Sequence, residues 1–289
     1  MRDILTEWGG DENRRVDRVK NAVFFLICAL CGAGVFSGTV AAAPMQNEDD
    51  AEDYKILKEI IVLEFSGETP HEWGDTVSGV KTHLKTDEKV VALGLDTCDP
   101  QNQDQSLTLL RTFETENIPA TLFVCGDWID RNTAILKKLA ANPLFEIANQ
   151  GLAHKPCSVN GKSAEDMAGT RSVDEVFTEI EKNARKIESI TGILPQYYRA
   201  GTGYYDEVAV RIVNALGYEA VGSNIRLPEG TELTRDNVLE AMANPAAGAI
   251  AILNSGALSR TVSSGVLESI HKLRAKGYKF VKLSDFPLE

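Results

Sequence analysis

The sequence has too few basic residues to balance its acidic ones. Its 289 residues include 30 lysines and arginines against 42 aspartates and glutamates, a formal net charge of -12. Such a charge argues against nucleic-acid binding and gives no general attraction to anionic lipid. The chain also lacks internal repeats, and its only low-complexity tract is one acidic segment near the start. With 43% hydrophobic residues it is typical of a globular protein with one large domain or two small ones.

Residues 1–43 carry a targeting signal. A basic stretch precedes an uncharged run over 21–45, which contains the apolar sequence AVFFLICALCGAGVF and ends in small residues. This order is that of a secretory signal peptide, cleaved after Ala41 or Ala42. The run is also long enough to span a bilayer as an uncleaved anchor. Its length therefore does not distinguish a cleaved signal peptide from a membrane anchor. The sequence predicts export to the periplasm or the cell exterior, with membrane contact only through this segment.

Two segments precede the main domain. Residues 44–54 are acidic and poor in apolar residues, which predicts a solvated linker. Residues 55–87 form an N-terminal arm, in which the spacing of apolar residues in ILKEIIVLEF favours a short amphipathic helix or an arm packed on the domain. The domain itself is expected over residues 88–289.

Short apolar runs alternate with amphipathic segments throughout this domain. KVVALGLD, IPATLFVCG and FEIANQ are rich in β-forming residues and predict buried strands. SVDEVFTEIEKNARKIESITG places its apolar residues on one helical face. Repeated strand–helix units predict an α/β fold with a parallel sheet covered by helices, without deciding whether the sheet is open or closed. In such folds, chemistry gathers at the carboxyl ends of the strands.

Polar residues follow the predicted strands at those ends. They are Asp96, Thr97, Cys98 and Asp99 after the first strand, Cys125 and Asp127 after the second, Gln150 and His154 after the third, Arg199 after the fourth, and Asn224 and Asn254 after later ones. Taken singly, Asp96 can be a helix cap, His154 a structural histidine and Arg199 an ion-pair partner. Their position in successive strand-end loops instead indicates one functional site.

The motifs around these residues resemble those of the polysaccharide deacetylases, carbohydrate esterase family four. VALGLDTCD resembles the first family signature, usually a strand that ends in two adjacent aspartates. FEIANQGLAHKPCSVN resembles the second, in which two histidines about a helical turn apart hold a metal. Similar blocks, including HEWGDTVSGVKTHL and YYRAGTGYYDE, extend the resemblance to a bacterial branch of the family over residues 71–285. It implies a distorted (β/α) barrel that removes acetyl groups from N-acetylated polysaccharides or oligosaccharides with a divalent metal, often zinc.

The resemblance assigns family roles to individual residues. The base is Asp96, and the arginine that orients it is Arg199. Thr97 takes the place of the metal-binding aspartate and Gln150 that of the first metal-binding histidine, so only His154 remains of the metal ligands. Threonine and glutamine are neutral and poor ligands for zinc. We therefore expect tight metal binding to be lost.

Other side chains could rebuild the metal site. Asp99 is a candidate replacement carboxylate, and Cys98 or Cys157 a candidate thiolate. In an exported protein, however, Cys98 and Cys157 could form a disulfide that leaves Cys125 free. Three buried free thiols are the alternative, because sequence spacing does not establish proximity.

The late family histidine, which protonates the leaving amine, is also missing. It should lie near Leu253 or Asn254, where the sequence has no histidine. Matching motif positions predict that Leu253, Asn254 and Tyr204 bind substrate. Three functions agree with this pattern: an active exported deacetylase that uses zinc, a non-catalytic relative that binds glycans without a cofactor, and a protein-interaction module.

Overall fold

The computed structural model describes residues 47–98, 103–225, 227 and 233–289, so the predicted targeting segment and Asp99 lie outside the described residues. The helices are α1 (Asn47–Phe65), α2 (Gln103–Thr115), α3 (Gly126–Ala140), α4 (Val173–Thr191), α5 (Glu207–Ala215), α6 (Arg235–Ala241) and α7 (Arg260–Ala275). The strands are β1 (Val90–Asp96), β2 (Ala120–Val124), β3 (Phe145–Asn149), β4 (Tyr197–Tyr198), β5 (Glu219–Ala220), β6 (Ala249–Asn254) and β7 (Lys279–Val281). None of these helices is long and apolar enough to cross a bilayer.

The strands form one parallel sheet that curls into a half-barrel. Their order is β5-β4-β3-β2-β1-β6, and β7 pairs with the first residues of β1. The register aligns Asp96, at the end of β1, with Phe123 on β2 and Asn254 on β6. The carboxyl ends of these strands therefore meet at one edge. The predicted distorted (β/α) barrel is confirmed.

The two sides of the curled sheet approach each other near the end of β5. Ile225 forms a single parallel bridge with Ala251 of β6. The Asn224 side chain accepts a hydrogen bond from the Ile250 backbone N–H (2.9 Å), and the Ser223 hydroxyl donates to the Ile250 carbonyl (2.8 Å). We call this junction, Ser223 to Ile225 against Ile250 and Ala251, the seam. Asn224 has a structural role in it.

Alternation along the strands separates two apolar layers. In β1, Val90 and Ala92 face the barrel interior, where they pack with residues such as Phe123 and Ile250. Val91, Leu93 and Leu95 face the helices and pack with side chains of α2, α3 and α7. Both layers are buried, which accounts for the nearly continuous apolar runs in the sequence.

The N-terminal arm is anchored by α1. Leu57, Ile61 and Phe65 recur every four residues and are buried against α4 and α5, and each contributes about 1.5–3 kcal/mol to stability by this burial. The helix extends back to Asn47, into the segment for which the sequence predicted a solvated linker. Once the buried turns are fixed, each further residue adds a backbone hydrogen bond, and the helix continues into a segment with little apolar character.

Candidate active site at the carboxyl edge of the barrel

The Asp96 carboxylate and the Arg199 guanidinium form an ion pair at this edge. Arg199 Nε donates to Asp96 Oδ2 at 3.0 Å, and the two side chains are only 14% and 5% exposed. Arg199 follows β4 and Asp96 ends β1, so their contact crosses the strands β2 and β3 between them. Burial alone would lower the pKa of the Arg199 guanidinium, but the Asp96 carboxylate raises it overall. The structure thus brings together the predicted base and its orienting arginine.

The loop after Arg199 encloses its guanidinium. At Gly203 (φ +76°), a Cβ atom would lie 2.8 and 2.9 Å from the two terminal nitrogens of Arg199. This close approach and the left-handed backbone conformation together favour glycine. The Tyr205 hydroxyl accepts from the Ala200 N–H (2.8 Å) and donates to the Val221 carbonyl (3.1 Å). These two bonds tie the loop after Arg199 to the segment that follows β5.

Thr97 directs its hydroxyl to the neighbouring strand. It is 1% exposed, and both its N–H and its hydroxyl donate to the Phe123 carbonyl, at 3.1 and 3.0 Å. The position of a family metal ligand is therefore taken by a neutral hydroxyl whose hydrogen is bonded to the neighbouring strand.

Gln150 is fully buried at the end of β3. Its backbone N–H donates to the Val124 carbonyl at 2.9 Å. Neither atom of its side-chain amide has a hydrogen-bond partner among the described residues, and the same is true of Asp96 Oδ1. Such unsatisfied buried groups are rare and call for an explanation.

His154 lies in a loop held by a buried carboxylate. Glu179 on α4 accepts from the N–H groups of Ala153 (2.9 Å) and Lys155 (3.1 Å), on either side of His154. His154 is half-buried and adopts a left-handed backbone conformation (φ +58°). Burial raises the pKa of the Glu179 carboxyl, while its backbone hydrogen bonds oppose the shift. The sequence reasoning missed Glu179 because it lies in a helix whose charged residues were expected at the surface.

Close packing joins the His154 loop to the Arg199 loop. The Gly201 N–H donates to the Lys155 carbonyl at 3.0 Å. A Cβ atom at Gly201 would lie 1.9 Å from the His154 carbonyl oxygen, so no larger residue fits. The two loops carry the second and third family-like motifs, and their contact assembles the predicted site.

The predicted disulfide is wrong, since Cys98 is bonded to Cys125 (Cα–Cα 5.9 Å) and Cys157 is free and buried. The register explains the pairing. Asp96 is aligned with Phe123, so two residues later Cys98 and Cys125 again face each other across β1 and β2. Burial raises the pKa of the Cys157 thiol well above its usual range, which disfavours the thiolate.

These residues fit zinc poorly. Among the described residues, no three histidine, cysteine, aspartate or glutamate side chains are grouped so that they could hold a metal ion. Cys98 is in the disulfide and cannot act as a thiolate ligand, and Cys157 is a buried thiol. Of the candidate replacement ligands, Asp99 lies outside the described residues.

The predicted substrate-binding residues have different positions. Asn254 is exposed beside Asp96 in the register, and its side chain accepts from the Gly256 N–H at 2.8 Å. Leu253 is 2% exposed and packs in the helix-facing layer, on the opposite face of the sheet, which contradicts its predicted role.

Tyr204 is half-buried at the rim of the same edge. Its ring lies 5.9 Å from that of Trp73, and Lys162 Nζ lies 5.8 Å from the centre of the Trp73 ring. The sequence reasoning assigned Trp73 no role, although it belongs to the family-like segment HEWGDTVSGVKTHL. The N-terminal arm therefore contributes an aromatic side chain beside the site.

Known proteins with this fold share this arrangement of elements. Residues 83–221 match the family model "Polysaccharide deacetylase". A CE4 family pseudoenzyme from Bacillus anthracis is 20% identical, with a TM-score of 0.58 over 73% of this chain and 69% of that one. A peptidoglycan N-acetylglucosamine deacetylase is 20% identical, with a TM-score of 0.60 over 71% of this chain and 91% of that one. A family 4 acetyl xylan esterase from Clostridium thermocellum, solved with a cobalt ion, is 20% identical, with a TM-score of 0.54 over 68% and 89%.

The barrel and its matching segment define the class of the protein. The chain belongs to the polysaccharide deacetylase family through residues 83–221. No curated protein matches it. At about 20% identity, the solved structures establish the fold and not the activity.

Proposed function

We propose that this protein acts on N-acetylated glycans as an exported polysaccharide deacetylase-like protein with a degenerate metal site. The Asp96–Arg199 pair carries the proposal. A buried carboxylate is oriented through one oxygen by a guanidinium, while its other oxygen has no partner among the described residues. Such a group is suited to accept a proton or a hydrogen bond from a bound substrate.

The metal site is where this chain departs from an active deacetylase. Zinc, when bound, would polarise the acetyl carbonyl and lower the pKa of a bound water. His154 is the one residue of the family ligand set that this sequence retains, since Thr97 and Gln150 are neutral side chains and poor ligands for zinc. We infer that these residues do not hold zinc tightly, and we assign no catalytic step to a metal.

The choice of glycan rests on analogy to the family and its fold neighbours. The neighbours include a peptidoglycan N-acetylglucosamine deacetylase and an acetyl xylan esterase. The rim pair Trp73 and Tyr204 suits a sugar ligand, because aromatic rings present an apolar face with a polar group at the edge. Export is supported by the N-terminal basic stretch and apolar run, with cleavage or anchoring as the two possible outcomes.

A non-catalytic glycan-binding protein is the second candidate. It is favoured by the neutral side chain of Thr97, which stands at the position of a charged family ligand and donates its hydroxyl to the neighbouring strand. The test is elemental analysis of the purified protein, together with acetate release from N-acetylated oligosaccharides. Zinc-dependent acetate release would establish a deacetylase. Glycan binding without acetate release would establish the binding protein, and absence of both would contradict the proposal.

A further inference from the structure

The buried side-chain amide of Gln150 contributes no hydrogen bond to the described part of the fold. Both of its polar atoms lack a hydrogen-bond partner among the described residues, although the side chain is fully buried. An apolar side chain of the same length would avoid this loss of stability. The position therefore carries an unfavourable group where an inert one would fit.

Asp96, whose Oδ1 is another of the buried atoms without a described partner, lies on the same interior face of the sheet. Asp96 is aligned with Phe123, and Phe123 with Ala148 on β3. Phe123 and Ala148 both belong to the interior apolar layer. Gln150 comes two residues after Ala148, so strand alternation directs it to the same face. The ion pair between Asp96 and Arg199 passes from the end of β1 to the end of β4, across β2 and β3, and Gln150 directly follows β3.

The chemistry of these two groups selects a ligand. Asp96 Oδ1 accepts a hydrogen bond, while the Gln150 side chain offers N–H donors and a carbonyl acceptor. A secondary amide complements them, since its N–H can donate to the carboxylate and its carbonyl can accept from the Gln150 amide. A metal cation does not, because the glutamine N–H groups carry positive partial charge and its oxygen is a poor ligand for zinc.

We propose that Gln150 and Asp96 form a metal-free recognition site for the acetamido group of a glycan. This inference rests on the proposed function and specifies how its site reads the substrate. Phe123 and Ala148, which are fully buried on the same inner face, give the acetyl methyl group an apolar floor. The side chain that replaces a family metal ligand thus takes over recognition of the group that the family hydrolyses.

The test compares the full-length protein with its Gln150→Met variant in excess EDTA. Binding of N-acetylated chitopentaose and of the fully de-N-acetylated glucosamine pentamer is measured by titration calorimetry. We expect the parent to prefer the N-acetylated sugar and the variant to bind it more weakly, on the order of tenfold for one lost hydrogen bond. Binding of the glucosamine pentamer should not change. Gln196→Met, at an exposed position, is the matched control.

Thermal unfolding of the same proteins gives a readout that does not depend on the ligand. Methionine has similar length and no unsatisfied polar atom, so the Gln150→Met variant should unfold at the same or a higher temperature than the parent. A lower unfolding temperature would overturn the inference, because it would show that the amide is satisfied within the fold.

Three binding results would also overturn it, and they separate it from the proposed function. Equal affinity of parent and variant for the N-acetylated sugar would remove Gln150 from recognition and leave glycan binding intact. Binding that EDTA abolishes and zinc restores would assign recognition to a metal. A parent that binds neither sugar, with or without zinc, would contradict the proposed function and with it this inference.

Discussion

The Asp96–Arg199 pair permits a quantitative stability test. Asp96→Asn removes the negative charge and leaves the Arg199 guanidinium, 14% exposed, beside a neutral amide. Removal of one partner of a buried ion pair costs about 3–5 kcal/mol. Because the guanidinium keeps some contact with solvent, we expect about 3 kcal/mol, a change in the folding equilibrium of roughly a hundredfold. That is a large fraction of the stability of about 5–15 kcal/mol that is typical of a domain.

Urea unfolding monitored by circular dichroism measures this loss. The control is Asp130→Asn, because the Asp130 carboxylate pairs with Lys186 at 2.8 Å but is 66% exposed. An exposed pair contributes about 0–1 kcal/mol, so this variant should be nearly as stable as the parent. Replacing both buried partners with apolar residues, Asp96→Leu with Arg199→Met, should cost less than Asp96→Asn alone.

The opposite result would refute the reasoning. An Asp96→Asn variant as stable as the parent, yet devoid of acetate release that the parent shows, would make Asp96 a catalytic residue without a structural role. A destabilised variant of a parent that releases no acetate would support the structural account.

Three further outcomes are expected. Protein purified without chelator should contain little zinc by elemental analysis, and stoichiometric zinc that disappears in His154→Ala would contradict this. Peptide mapping without reduction should find Cys98 linked to Cys125 and Cys157 free. A peptide that links Cys157 to Cys98 or Cys125 would contradict the observed pairing. Burial raises the pKa of Glu179 above its ordinary value of 4.5, so the stability that its proton confers is fully present below that pH and is lost as the pH rises through the raised value. Unfolding measured from pH 4 to 7 should therefore show Glu179→Gln gaining stability relative to the parent as pH increases, and a constant difference would contradict this assignment.

Local patterns in the sequence were sufficient to predict the order of elements. The long helix α4 begins after Ser172, whose side chain accepts from the Glu175 N–H, and ends at Gly192 in the left-handed conformation (φ +75°). Both are short-range effects, readable from neighbouring residues. Strand ends were located for the same reason, and this placed Asp96 and Arg199 at one edge.

Contacts that depend on register or on distant burial could not be read from the sequence. The partner of Cys98 follows from the alignment of β1 with β2, which no spacing of cysteines specifies. Glu179 is 24 residues beyond Lys155, whose N–H it binds, and nothing in the helical pattern distinguishes it from a surface carboxylate. The unsatisfied amide of Gln150 likewise became visible only once the packing around it was known.

At the seam, side chains contribute to the contact that closes the barrel, and this contact bears on the width of the barrel opening at its carboxyl edge. In a fully closed barrel, the number of strands and their stagger fix the diameter through backbone hydrogen bonds. Here the junction at Ile225 consists of one bridge, where the N–H groups of Asn224 and Ile225 both donate to the Ile250 carbonyl, together with the side-chain hydrogen bonds of Ser223 and Asn224. We therefore expect substitutions at Ser223 and Asn224 to change the width of the barrel opening without the addition or removal of a strand. If the protein binds glycans as proposed, the bulk of the sugar it accepts would then depend on single residues at the seam.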